Sequence, residues 1–344
     1  MSPGKLSPAT ALTVRQAASR IVARQVRDLL GYEKAARRGE DPEAAHQMRV
    51  QTRRLRAALA LFSGVVRPPK RANRTRLRWL ARALGRVRDL DVITMLLEDR
   101  HLAHLAGAEA ERLEDLLAAL RERRWRAQRQ LRASFARGRY ARLKGGLAEL
   151  ARRPRFGWRA EDDAMAARYL ADAIQRVARR VTARPGMAER LPSASDLHKL
   201  RITIKRLRYV LDFHAETCGV AYDEERRLAR QLQDCLGEIH DHDLLLGWFA
   251  EAAGTVADAR GPHMPVKQPL LAGSWPVLEP RLAFDRARLF RRFLRLRRSW
   301  FARTEPAGTV VPLEEPRFVS LEAAPVQLRL EAPRRTVASL QLVR

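Results

Sequence analysis

The chain has 344 residues, 46% hydrophobic and 31% charged, which suits one large domain or two smaller ones and excludes wholesale disorder. Its 67 basic side chains face 39 acidic ones, a net charge of +28, and only seven of the 67 are lysines, which leaves 60 arginines. An excess of that size makes a polyanion the default partner, and the planar arginine fork meets phosphate oxygens two at a time.

Arg15, Arg20, Arg24 and Arg27 interrupt any apolar run near the N-terminus, so no secretory signal is expected. No apolar stretch is long enough to span a bilayer. Cys218 and Cys235 suggest neither a disulfide framework nor a CxxC metal site. A cytoplasmic protein with no membrane partner is the expectation.

Glycine and proline cluster at few points, among them Gly145-Gly146, Pro154 to Gly157, and Gly261 to Pro269. Between them the chain is rich in Arg, Ala, Leu and Glu with a period of 3.6, which predicts helices over 12–38, 42–63, 71–100 and 108–143. A second set is predicted over 162–184, 196–216, 222–253 and 281–303. Asp41-Pro42-Glu43 and Ser195-Asp196 are helix-start signals. No convincing strand precedes residue 308. The tail over 304–344 holds five prolines with balanced charge and reads as irregular or disordered.

Two motifs recur at one offset. His46-Gln-Met-Arg-Val-Gln-Thr-Arg-Arg-Leu-Arg aligns without gaps to His198-Lys-Leu-Arg-Ile-Thr-Ile-Lys-Arg-Leu-Arg. Leu84-Gly-Arg-Val-Arg-Asp-Leu-Asp91 aligns to Leu236-Gly-Glu-Ile-His-Asp-His-Asp243 at the same spacing. This predicts an all-α unit over 10–303 made of two pseudo-symmetric four-helix bundles, 10–150 and 160–303.

Projected at 100° per residue, Leu200, Ile204, Leu207 and Leu211 form an apolar stripe on the second helix of the second half. His198, Arg201, Lys205 and Arg208 form a basic one, repeated in the first half by His46, Arg49, Arg53 and Arg56. Each basic row runs about 15 Å, enough for several consecutive phosphates. Like charges one turn apart repel, so the rows are not simply solvated faces; carboxylates on neighbouring helices are the alternative partners, and composition and repetition favour an anionic ligand. His46 and His198 are placed in the first helical turn, where a phosphate hydrogen-bond donor, a phospho-acceptor and a structural histidine compete as roles; donor is preferred.

In the second motif the last residues, Asp91 and Asp243, continue an apolar stripe and need buried cations; Arg54 and Arg206, off the basic rows, are the candidates. Gly85 and Gly237 suggest close helix crossings. Glu238 to Asp243 could suggest a metal-dependent phosphohydrolase, but the first half holds Arg88 and Leu90 at the histidine positions and no further ligand cluster is evident. No metal, cofactor or catalytic residue is expected.

These two motifs, each present twice in order, resemble the CHAD family, the conserved histidine α-helical domain, over about residues 10–303. The resemblance implies two helical bundles around a basic cavity that binds inorganic polyphosphate, with some members at polyphosphate granules. It implies that His46, Arg49, Arg53, Arg56, His198, Arg201, Lys205 and Arg208 carry binding. The triphosphate-tunnel domain of many relatives has no counterpart here and no ExExK motif is present, so triphosphatase activity is not implied. Nucleic acid remains the alternative ligand and the expected weaker competitor.

Overall fold

Four side-chain caps set where the main helices begin. Thr13 and Gln16 close a capping box, Asp41 accepts from the Glu43 backbone N–H ahead of Pro42, and Asn73 accepts from Arg76. Ser193, not Ser195, is the fourth cap, with Asp196 returning to its backbone N–H. The computed structural model describes residues 12–157, 165–188, 192–219, 222–252, 271 and 275–304. The predicted tail over 304–344 lies outside them except for Thr304.

The first part of the chain forms α1 (Val14–Gly31), α2 (Glu33–Arg38), α3 (Pro42–Leu61), α4 (Arg74–Arg100), α5 (Gly107–Ala136) and α6 (Gly138–Arg152). The second forms α7 (Ala166–Thr182), α8 (Pro185–Ala188), α9 (Ala194–Cys218), α10 (Asp223–Ala252) and α11 (Leu278–Thr304). The all-α expectation holds, with two local corrections. The helix predicted over 12–38 breaks at Tyr32, and the one over 108–143 breaks at Arg137, whose backbone is extended. Gly145-Gly146 lies inside α6 and does not end it. A Cβ on Gly146 would stand 2.8 Å from the Arg71 Cβ, so the glycine lets α6 press against the 3₁₀ turn at Lys70–Ala72.

One small sheet was not expected. The strands β1 (Val66–Arg67) and β2 (Arg155–Phe156) pair antiparallel with Val66 opposite Phe156. Two residues are too few to show an alternating pattern.

The helices pack in a matching order in both parts. α1 lies on α3, α3 on α4 and α4 on α5, while α7 lies on α9, α9 on α10 and α10 on α11. α3 and α9 touch each other across the join. The apolar stripe of α9 is buried as projected, with Leu200, Ile204, Leu207 and Leu211 all at most 1% exposed. It meets Leu232, Leu236, Phe293 and Trp300 in one apolar cluster. The larger cluster centres on α3, α4 and α5 and also takes in Phe213, Trp248, Phe249 and Trp275 from the second part. Each such fully buried side chain stabilises the fold by about 1.5–3 kcal/mol. Among the described residues no helix is long and apolar enough to cross a membrane.

Candidate functional site

Packing α3 against α9 turns their basic rows toward one cleft of about 910 Å³, lined by His46, Arg49, Arg53, His198 and Arg201 among others. Lys205, one turn beyond Arg201, stands within electrostatic reach of Arg201, Arg53 and Arg49. Arg56 and Arg208 do not line the cleft. Arg56 stands with Arg74 and Arg78, and the Arg208 guanidinium lies 5.2 Å from the Tyr209 ring centre. His46 and His198 are each the fifth residue of their helices, so both sit past the first turn where they were expected. The His46 Nδ1 is buried without a hydrogen-bond partner, and the His198 ring lies 4.9 Å from that of His240.

The cleft draws on more of the second motif than its sequence reading allowed. Two residues apart on a helix means about 200° of rotation, so the two acids of each motif face opposite ways. Asp89 and Asp241 line the cleft, with Arg88 and His240 beside them. Asp91 and Asp243 turn toward α5 and α11. From α5 come Arg123 and Arg126, and from α4 Arg86, which carried no signal beyond the general arginine excess. The lining then counts seven arginines against two carboxylates among the described residues.

Arg49 is fixed where it points. Its Nη1 donates to Asp89 Oδ1 at 2.7 Å and to the Gly85 carbonyl at 3.0 Å. A Cβ on Gly85 would meet that same nitrogen at 3.1 Å, so the glycine makes room for a guanidinium and not for a crossing helix. Nothing lies within 4 Å of a Cβ on Gly237, and the crossing expected there is absent.

The structural ion pairs differ from those expected. Asp91 is bound by Arg124 on α5 at 2.9 Å, and Asp243 by Arg286 on α11 at 2.5 Å. Arg54 is turned the other way, toward α9, where it reaches Asp212 at 2.9 Å and Glu216 at 2.5 Å, with Nε on Gln25. Arg206 is exposed and does not reach Asp243. Buried Asp91 and half-buried Asp243 therefore fix α4 against α5 and α10 against α11, while Arg54 joins α3 to α9.

Burial sets the protonation of the cleft, and crowding of like charges adds to it for the cationic groups. Burial, with Arg201, Arg53 and Arg49 close by, brings the Lys205 ammonium down to about 6. Burial brings Arg53 down to about 10 and His240 down to about 3, and lowers His46 and His198. Burial raises the Asp241 carboxyl to about 6, with the nearby Arg201 and Lys205 opposing it. The cleft thus holds more cationic groups than it can keep charged without an anion.

The run Glu238 to Asp243 does not converge as a phosphohydrolase site would require. His240 and Asp241 face the cleft, His242 faces His101 on the far side of α10, and Asp243 is taken by Arg286.

The family model of the CHAD domain matches residues 20–250. The crystal structure of the CHAD domain from the plant Ricinus communis is similar at 22% identity and a TM-score of 0.57, covering 87% of this chain and 96% of that one. PptA from Streptomyces chartreusis is similar at 18% identity and a TM-score of 0.58, covering 85% and 99%. At those identities the likeness is one of fold. No curated protein matches the chain. The two recurring motifs, the paired basic helices they place and a family match over two thirds of the length agree: the chain belongs to the CHAD domain family.

Proposed function

We propose that the protein binds inorganic polyphosphate in this cleft without catalysing a reaction on it. The carrying observation is the convergence of two basic rows from α3 and α9 on a single cleft that lacks the carboxylates to neutralise them. Arg201 Nε is buried there with no hydrogen-bond partner, a donor an anionic oxygen would satisfy. The part of the α3 row that lines the cleft, from His46 to Arg53, rises about 10 Å, which suits more than one phosphate, and family membership supports the same ligand. The protein acts in the cytoplasm, and attachment to polyphosphate granules or to an enzyme acting on the polymer follows from that reading.

A nucleic-acid backbone is the second reading, favoured by the charge alone. Trp248 is the one Phe, Tyr or Trp lining the described cleft, and it is 7% exposed, so there is no platform on which bases could stack. The test is a salt titration of binding to long-chain polyphosphate, duplex DNA and single-stranded RNA at matched phosphate concentration. Preference for polyphosphate that persists at physiological salt supports the proposal. Equal binding to all three that vanishes together as salt rises would overturn it.

A further inference from the structure

On the opposite side of α10 from the cleft, three groups converge that the polyphosphate reading does not use. His101 closes the C-terminus of α4, His242 lies on α10 and Asp285 on α11, and one ligand-type atom from each lies within 4.8 Å of the others. Both imidazoles are 0% exposed, with ring centres 6.4 Å apart and planes at 78°. His242 Nδ1 faces the Glu238 carbonyl at 2.8 Å. Donation there leaves the lone pair on Nε2, which is buried and has no hydrogen-bond partner. His101 leaves both of its ring nitrogens buried and unpartnered. Buried nitrogens are rarely left so, and three of them, on two histidines beside a carboxylate, point to a missing ligand.

We infer that His101, His242 and Asp285 bind one divalent transition-metal ion of the zinc class. Two imidazoles with one carboxylate are a zinc donor set, whereas magnesium and calcium take oxygen ligands throughout. The Glu238 carbonyl already supplies the outer hydrogen bond that orients a ligating histidine. Asp285 also lines an adjoining cavity of about 470 Å³, which gives the ion an entry path and a water a fourth position. Arg288 now holds Asp285 at 3.2 Å, and the ion would displace it from one carboxylate oxygen. The ligands span the end of α4 and the last two helices, so the ion would clamp the first half of the chain to the second. The sequence hid this site because only His242 belongs to a motif, and its partners are far away along the chain.

The test uses the full chain, stripped with chelator and dialysed against limiting Zn²⁺, with Co²⁺ as the spectroscopic probe. One tightly held ion per chain is expected, with visible Co²⁺ bands of a four-coordinate nitrogen and oxygen site. Asp285→Asn and His101→Phe should each weaken metal binding at least tenfold and leave polyphosphate affinity, measured without metal, unchanged. If His101→Phe fails to fold, Asp285→Asn at the partly exposed position decides. A wild-type chain that retains no ion, or an Asp285→Asn variant that binds Zn²⁺ and Co²⁺ as the wild type does, overturns the site.

Discussion

Arg54 on α3 donates from Nη1 to Asp212 on α9 at 2.9 Å, and with the Glu216 carboxylate and the Phe213 ring nearby it forms a polar join between the halves. Its side chain is 14% exposed and that of Asp212 10%, so the pair is largely withdrawn from water. Removing one partner strands the other, and Arg54→Met should destabilise the protein by about 3 kcal/mol. The double variant Arg54→Met with Asp212→Leu should recover much of that loss. Urea unfolding of the three proteins checks it; a double variant no better than the single would show that the pair is not what matters.

Cleft and rim should separate by mutation. Arg53→Gln with Arg201→Gln should weaken polyphosphate binding at least tenfold with little change in melting temperature. Arg56→Gln with Arg208→Gln, outside the cleft lining, should cost less. Fluorescence anisotropy at physiological salt distinguishes the pairs, and equal losses would extend the site along both helices.

Lys205 illustrates a conflict between function and stability. Its folded value of about 6 lies far below the ordinary lysine value near 10.4, so the unfolded chain binds the extra proton between those limits. Stability therefore rises with pH across that window. Lys205→Met should lack that slope and gain about 1–3 kcal/mol at pH 8, more as pH falls toward 6, while binding polyphosphate more weakly. Thermal melts from pH 6 to 10 of both proteins test the slope directly.

Binding itself should take up protons. A polyanion favours the charged forms of Lys205, His46 and His198 and the neutral form of Asp241, so each group's protonated form is the one stabilised on binding. Affinity should increase as pH falls from 8 toward 5.5. Calorimetry in buffers of different ionisation enthalpy would register the uptake, and a buffer-independent heat would contradict it.

Asp91→Ala and Asp243→Ala should act on the fold and not on binding. Each leaves a half-buried arginine, Arg124 or Arg286, without its carboxylate, at a cost of about 1–3 kcal/mol. Melting temperatures should drop while polyphosphate affinity holds; normal melting with lost binding would reverse the roles assigned to the two acids of each motif.

The sequence made the helices, the basic rows and their approximate partners legible because periodicity and repetition are local properties. Leu200, Ile204, Leu207 and Leu211 are buried as their spacing requires, and Arg49, Arg53 and Arg201 face the cleft their stripes imply. What it could not show was which neighbour a side chain meets. A helical projection offers Arg54 to Asp91, but its partner Arg124 comes from a helix whose rotation no single-helix projection contains. Asp89 and Asp241 were readable in principle, since acids spaced by two on a helix cannot share a face. His101 carried no pattern at all, and only the fold places it beside His242.

Phe213, Trp248, Phe249 and Trp275 lie, with further residues of the second part such as Leu170, Tyr209 and Leu282, in the apolar cluster whose larger share comes from the first part of the chain. The stretch that recurs in sequence is consequently shorter than the stretch that can fold. Severing the chain between residues 157 and 165 would leave the N-terminal fragment with an open apolar face where large aromatic rings belong, and the fragment would be prone to aggregate. Shared packing of this kind makes one interior serve both parts of the chain: removing the second part would open the larger apolar cluster, whose side chains come from both.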